Sequence, residues 1–200
     1  MNEQELFVRI NQALTDVVNH VKDEQLDQVL PDDLSWRKGI TLRRSLNICT
    51  YENKCVPDVL AGRDDLPSND AFTDDLLGDE PLASYNRYSD IANRAAQELD
   101  DPGRIVHMSY GDAPAREYLR DITVNRGLSA YDIGAFIGTQ VRMPDELVQG
   151  LMDSIAPLAD MLRQYGVFGP QVEVPSDASL QAKLLGLTGR TPQRYESQPK

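Results

Sequence analysis

Two hundred residues suit one compact domain, or a domain with a tail, and a 40% hydrophobic content can fill a core. The formal net charge is −12, from 32 acidic against 20 basic residues, and a surface of that sign repels phosphate backbones and anionic lipid headgroups. Nucleic acid and membrane are therefore excluded as expected partners. No apolar run reaches the roughly eighteen residues needed to cross a bilayer. The opening MNEQELFVRINQ has Glu3 and Glu5 where a secretion signal would be basic, so a cytoplasmic protein is expected.

The first predicted helix carries Leu6, Ile10, Leu14, Val17, Val18 and Val21 as a stripe, with acids in its opening turn and Lys22 near its close. A polar connection follows, ending in the turn-rich LPDDLSW. A second helix is expected from about Thr41 to Ala61 on the period of Leu42, Leu46, Cys49 and Val56, with Gly62 as its stop. Pro57 falls inside that pattern and is expected to kink the helix or end it early. The acidic stretch 63–80 reads as a loop with at most one helical turn.

A third helix is expected from Pro81 to about Leu99, stopped by DDPG, and RIVHMSYG (104–111) favours an extended segment. Asp112 can cap a fourth helix running from near Pro114 to Gly138. A fifth starts after Met143 and ends at QYG, with Gly166 past its end. FGPQVEVP is an extended connector, and a short last helix follows, capped by Ser176 or Asp177. RTPQRYESQPK reads as a frayed end, with 193–200 a flexible tail to a domain of residues 1–192. The sum is an all-α class: four long helices, a short extended segment before helix four, and a short C-terminal helix.

Within DITVNRGLSAYDIGAFIG (121–138), helical spacing aligns Ile122, Asn125, Ser129 and Phe136. Two small polar side chains, four apart, thus stand in an apolar stripe expected to face inward. They read either as a mutually satisfied pair or as the floor of a small-molecule pocket. Cys49 and Cys55, six apart, fit neither a metal clip nor a redox pair and are expected as free thiols. His20 and His107 lack a carboxylate at ligand spacing, so a site relocated to His107 and Cys49 has no spacing signal behind it. Tyr85, Tyr88, Tyr110 and Tyr131 read as core residues with their hydroxyls at the surface. The acids at 63–65 and 74–80 lack the regular spacing of a calcium loop.

Three patches, TLRRSLNICTYENKCVPDVLAG (41–62), YGDAPAREYLRDITVNRGLSAYDIGAFIG (110–138) and FGPQVEVPSDASLQAKLLGLTGRTP (168–192), resemble the DinB-like, mycothiol-dependent superfamily of actinobacteria. More narrowly, they resemble single-domain relatives of the metal-binding domain of mycothiol-dependent maleylpyruvate isomerase. The resemblance implies a four-helix bundle holding a divalent metal such as zinc or nickel. A histidine on helix two would ligate it, with a carboxylate and a histidine four apart on helix four, and mycothiol would bind as a thiolate. By position the carboxylate falls on Asn125 and the histidine on Ser129. The helix-two histidine falls on Ile48, or on Asn47 if the register slips by one.

All three expected ligands are therefore replaced by apolar or neutral side chains, which coordinate such metals poorly. What this implies is a metal-free, non-catalytic module with a candidate ligand pocket at Asn47, Ile48, Asn125 and Ser129. Its partner would be a small molecule or a protein, and analogy with relatives suggests a homodimer. The alternative is a mycothiol-dependent transferase or isomerase with a divergent site.

Overall fold

The computed structural model describes residues 1–35, 37–64, 74–108 and 111–196. Helix α1 (Glu3–Val18) begins where the Asn2 side chain accepts from the Glu5 backbone N–H at 2.8 Å, with Glu3 and Glu5 complementing the helix dipole. Its expected stripe is buried, and Val21 is buried beyond the helix end. A single unexpected turn, α2 (Asp23–Leu26), tucks Leu26 into the core. Helix α3 (Leu42–Leu60) starts at Thr41, whose hydroxyl accepts from Arg44 N–H at 3.2 Å. It runs on through Pro57 rather than ending early. Proline removes only one ladder bond, while Val56, Val59 and Leu60 bury the final turn and Gly62 (φ 74°) closes it.

Helix α4 (Pro81–Gln97) follows the expected span. The extended segment is the first strand of a hairpin: β1 (Ile105–Met108) pairs antiparallel with β2 (Gly111–Pro114). Asp112 is therefore a strand residue and not a helix cap. Its carboxylate meets His107 Nδ1 at 2.9 Å, and α5 (Ala115–Ile137) starts after Pro114 with no side-chain cap. Gly138 ends α5 in the left-handed region at φ 75°.

The expected fifth helix is broken into α6 (Asp145–Ile155), a 3-10 turn at Ala156–Leu158 and α7 (Ala159–Gln164). Pro157, inside the 3-10 turn, lacks an N–H and crowds the preceding turn. Helix α8 (Leu180–Leu187) is capped by Ser179, which accepts from Ala182 N–H at 3.1 Å, and not by Ser176 or Asp177. A last turn, α9 (Gln193–Glu196), occupies part of what reads as a tail in the sequence.

The described residues are mainly helical, with this one small sheet among them. Helix α1 lies along both α5 and α4, and α4 lies along α3, whereas α3 and α5 approach each other only sparingly. Between α1 and α4 the interface is polar at its centre. Asn11 Nδ2 donates to Ser89 Oγ and Asn93 Oδ1, both at 2.9 Å, and the Thr15 and Ser89 hydroxyls meet at 2.7 Å. Helix α5 is covered on several sides. A Cβ at Gly134 would come within 2.9 Å of the Thr139 carbonyl oxygen and closer still to Val141, so the loop after α5 folds back onto a face only glycine leaves open. No helix among the described residues is long and apolar enough to cross a membrane.

The end of the chain is tied down by a buried acid. Asp132 accepts two hydrogen bonds from Arg190, Nε to Oδ1 at 2.8 Å and Nη2 to Oδ2 at 2.6 Å, and a third from Tyr195 Oη at 3.0 Å. Such two-point guanidinium–carboxylate geometry is far stronger than a surface ion pair. The frayed end expected from residue 190 is thus anchored through Tyr195, and residues 197–200 lie outside the described region. Asp132→Asn should lower stability by about 2–4 kcal/mol in urea unfolding. Trypsin should then cut after Arg190 or Arg194 under native conditions, and a variant as resistant as the parent would contradict this anchoring.

Candidate functional site

The four residues singled out from the sequence divide into three environments. Asn47 is buried and fully employed: its Nδ2 donates to the Asp74 carbonyl at 2.7 Å and its Oδ1 accepts from Leu76 N–H at 2.8 Å. It pins the stretch before α4 onto α3. Ile48 is buried in the core. Asn125 and Ser129 are half-buried, and Ser129 Oγ donates to Asn125 Oδ1 at 3.2 Å. Among the described residues no hydrogen bond joins Asn47 to that pair. The stripe of Asn125, Ser129 and Phe136 is therefore the margin of the buried face, not its centre; Ile122 alone of that set is buried.

The centre is occupied by a residue the sequence reading passed over. Arg126 is 0% exposed. It falls on one helical stripe with Leu119, Ile122, Ala130 and Ile133, all buried, at steps of four and seven. That placement is the sequence signal that could have found it: a lone cation in the middle of an apolar row. Its guanidinium crosses to α3, donating from Nη1 to Glu52 Oε2 at 2.7 Å. Nη2 donates to Asn53 Oδ1 at 3.2 Å and to the Cys49 carbonyl at 3.3 Å. Three side-chain or backbone acceptors within one helical turn of α3 thus meet one guanidinium of α5.

The electrostatics follow from that pair. Burial is the largest single influence and works against the Arg126 charge, but the Glu52 carboxylate and its hydrogen bond, together with the other groups around it, outweigh that penalty and keep the guanidinium protonated. Glu52 keeps 26% of its side chain exposed, so the pair is open to solvent on the carboxylate's side only. Burial pushes the Cys49 thiol up to about 11, against the opposing pull of Arg126, so it is an inert thiol at neutral pH and not a nucleophile. Burial likewise raises Cys55. Both cysteines are free.

A divalent metal does not fit this set. Ile48 offers no donor, the Asn47 amide oxygen is already an acceptor in a buried bond, and Asn125 and Ser129 are neutral. A permanently charged guanidinium follows Asn125 directly on the same helix, and it would repel a dication. Among the described residues no group of three His, Cys, Asp or Glu is arranged to hold a metal ion. His107 pairs with Asp112 on the exposed hairpin, and His20 Nδ1 meets the Asp16 carbonyl at 2.7 Å just past the end of α1. Asp75 turns its carboxylate to Arg43 and to the Leu77 and Gly78 N–H groups rather than to a calcium-type loop. Residues 65–73 of the acidic stretch lie outside the described region.

The tyrosines split. Tyr131 is buried, and its hydroxyl donates to Gln181 Oε1 at 3.3 Å. Tyr88 is half-buried beneath the Arg87 guanidinium at 4.8 Å. Tyr85 is wholly buried, hydroxyl included, against the expectation of a surface hydroxyl. Tyr110 lies outside the described residues. A separate groove of about 410 Å³ runs between α1 and the 139–147 segment, floored by Ala13, Val17, Val141, Met143 and Leu147. None of the four sequence-selected residues lines it.

No protein-family model, curated protein or solved structure matches the chain at a significant level of similarity.

Two measurements check this site. Arg126→Met and Glu52→Gln should each destabilise the fold, by about 3–5 and about 2–4 kcal/mol, because each leaves a charge without its partner. Combined as Glu52→Gln with Arg126→Met, the loss should be well below the sum, and strict additivity would mean the two groups do not act as a pair. The raised Cys49 value has a definite sign: the folded state keeps a proton that the unfolded chain releases from about pH 9 upward. Stability should therefore fall as pH rises from about 9 to 11, and Cys49→Ala should flatten that fall.

Proposed function

We propose that this chain is a non-catalytic, metal-free member of the DinB-like superfamily, related to the metal-binding domain of mycothiol-dependent maleylpyruvate isomerase. In this reading α1, α3, α4 and α5 are the family's four-helix bundle. The protein acts as a small-ligand-binding or protein-interaction module, with the ligand reading favoured at Asn125 and Ser129 on α5. The observation that carries the proposal is the Arg126 bridge. Where a transition-metal enzyme needs anionic or imidazole donors facing α3 from α5, this chain sends a buried cation. A thiol-transfer role would further need a neighbour that favours a thiolate, and burial holds Cys49 as the neutral thiol.

What favours a ligand is the polar pair at the margin of α5. Asn125 and Ser129 are half-buried, and among the described residues the Asn125 side-chain amide nitrogen has no hydrogen-bond partner. A small neutral molecule with a carbonyl or hydroxyl group suits that donor, since neither side chain carries charge.

Protein purified without a histidine tag is expected to contain only trace zinc and nickel, and neither metal nor mycothiol should raise its melting temperature. Stoichiometric metal, or stabilisation by mycothiol, would overturn the proposal in favour of a divergent enzyme. A small-fragment screen followed by amide NMR should perturb residues around Asn125 and Ser129, and Ser129→Trp should abolish those shifts.

A further inference from the structure

The groove between α1 and residues 139–147 has a local cause. Gly138 ends α5 in the left-handed region, and the chain then runs without regular structure until α6 begins after Pro144. Burial alternates along it: Val141 and Met143 are buried, Arg142 and Pro144 exposed. That is the period of an extended chain, which sends alternate side chains to opposite faces. Apolar groups thus reach the floor, where α1 adds Ala13 and Val17, and the Arg142 side chain is left at the rim.

The charged and titratable side chains lining the groove are Arg9, Asp16, His20 and Arg142. Three of them are engaged. Arg9 pairs with Glu5 and with Glu146, which ties α1 to α6. Asp16 accepts from Gln12 Nε2 at 2.9 Å. His20 Nδ1 lies 2.7 Å from the Asp16 carbonyl, and since a carbonyl only accepts, that nitrogen donates. Arg142 makes no hydrogen bond or ion pair with any described residue. Asp145 and Glu146, next along the chain, do not line the groove.

We propose that this groove binds a small carboxylate with a short apolar body. The carboxylate meets the Arg142 guanidinium, and the body covers Ala13, Val17, Val141 and Met143. A guanidinium offers parallel donors that match both oxygens of a carboxylate. The volume of about 410 Å³ is that of a small-molecule site, and the pairing of an apolar floor with one polar anchor is its usual chemistry. The net charge of −12 opposes an anion at a distance, but that field is screened beyond about 8 Å at physiological ionic strength. The local cation then decides. This inference does not depend on the family reading, because the groove is separate from Asn125 and Ser129.

Amide NMR of the full chain, titrated with hexanoate, hexanamide and hexylamine, tests the head group at constant body. Hexanoate should give saturable shifts at Ala13, Val17, Val141 and Met143, and the other two should bind at least tenfold more weakly. Arg142→Ala, a change at an exposed side chain, should weaken hexanoate roughly tenfold. Ala13→Leu should fill the floor and abolish the shifts. Equal binding of hexanamide, a preference for hexylamine, or an Arg142→Ala variant that binds hexanoate as the parent does would overturn the proposal. So would shifts centred on Asn125 and Ser129, or none at millimolar hexanoate.

Discussion

The guanidinium of Arg126 is the constraint around which the interior is organised. Helices α3 and α5 come close at few points and share apolar core, and among the described residues the hydrogen bonds between them come from one side chain and the acceptors it finds. Removing a charge from water costs several kcal/mol, and the Glu52 carboxylate with the Asn53 and Cys49 oxygens offsets most of that. The net contribution to stability is then modest. What the bridge confers is position: the acceptors lie within one turn of α3, so sliding that helix by a turn would strand the cation.

The same charge governs the chemistry nearby. A fixed cation repels a second one, which sets the neighbourhood against a metal. The Cys49 thiol beside it remains protonated because desolvation outweighs the attraction of the guanidinium. Asn125 and Ser129, neutral and hydrogen-bonded to each other, add no field of their own. The surroundings suit recognition by hydrogen bonds better than bond-making, which supports the binding role proposed above.

Helix α5 carries a second buried ion pair on another side, where Asp132 holds Arg190 and Tyr195. One helix therefore serves as a hub, fastening α3 through a cation and the end of the chain through an anion. Gly134 lets a loop press against a further side. Being covered from several directions explains why buried residues follow one another almost without interruption from Arg126 to Gly134.

That covering also decides how much was legible beforehand. Helices α1 and α4 have one buried stripe each, and α3, although buried all round from Leu46 to Tyr51, keeps an apolar period at Leu42, Leu46, Cys49 and Val56; that spacing, with Pro81 as a first residue and Gly62 as a stop, made their extents readable from local chemistry. Gly138 and Gly166 marked ends for the same reason: both take a positive φ. The break at Pro157 was readable in principle, from the missing donor alone.

What no local pattern contains is which face of α5 is the centre. Periodicity marks a helix as amphipathic only when one side meets water. On α5 it pointed to the margin holding Asn125 and Ser129 and missed Arg126. The partners of Arg126 lie more than seventy residues away, as those of Asp132 lie more than fifty away. A charge is tolerated in the interior only where a distant counter-charge arrives, and that meeting is a property of the packed chain, not of any segment within it.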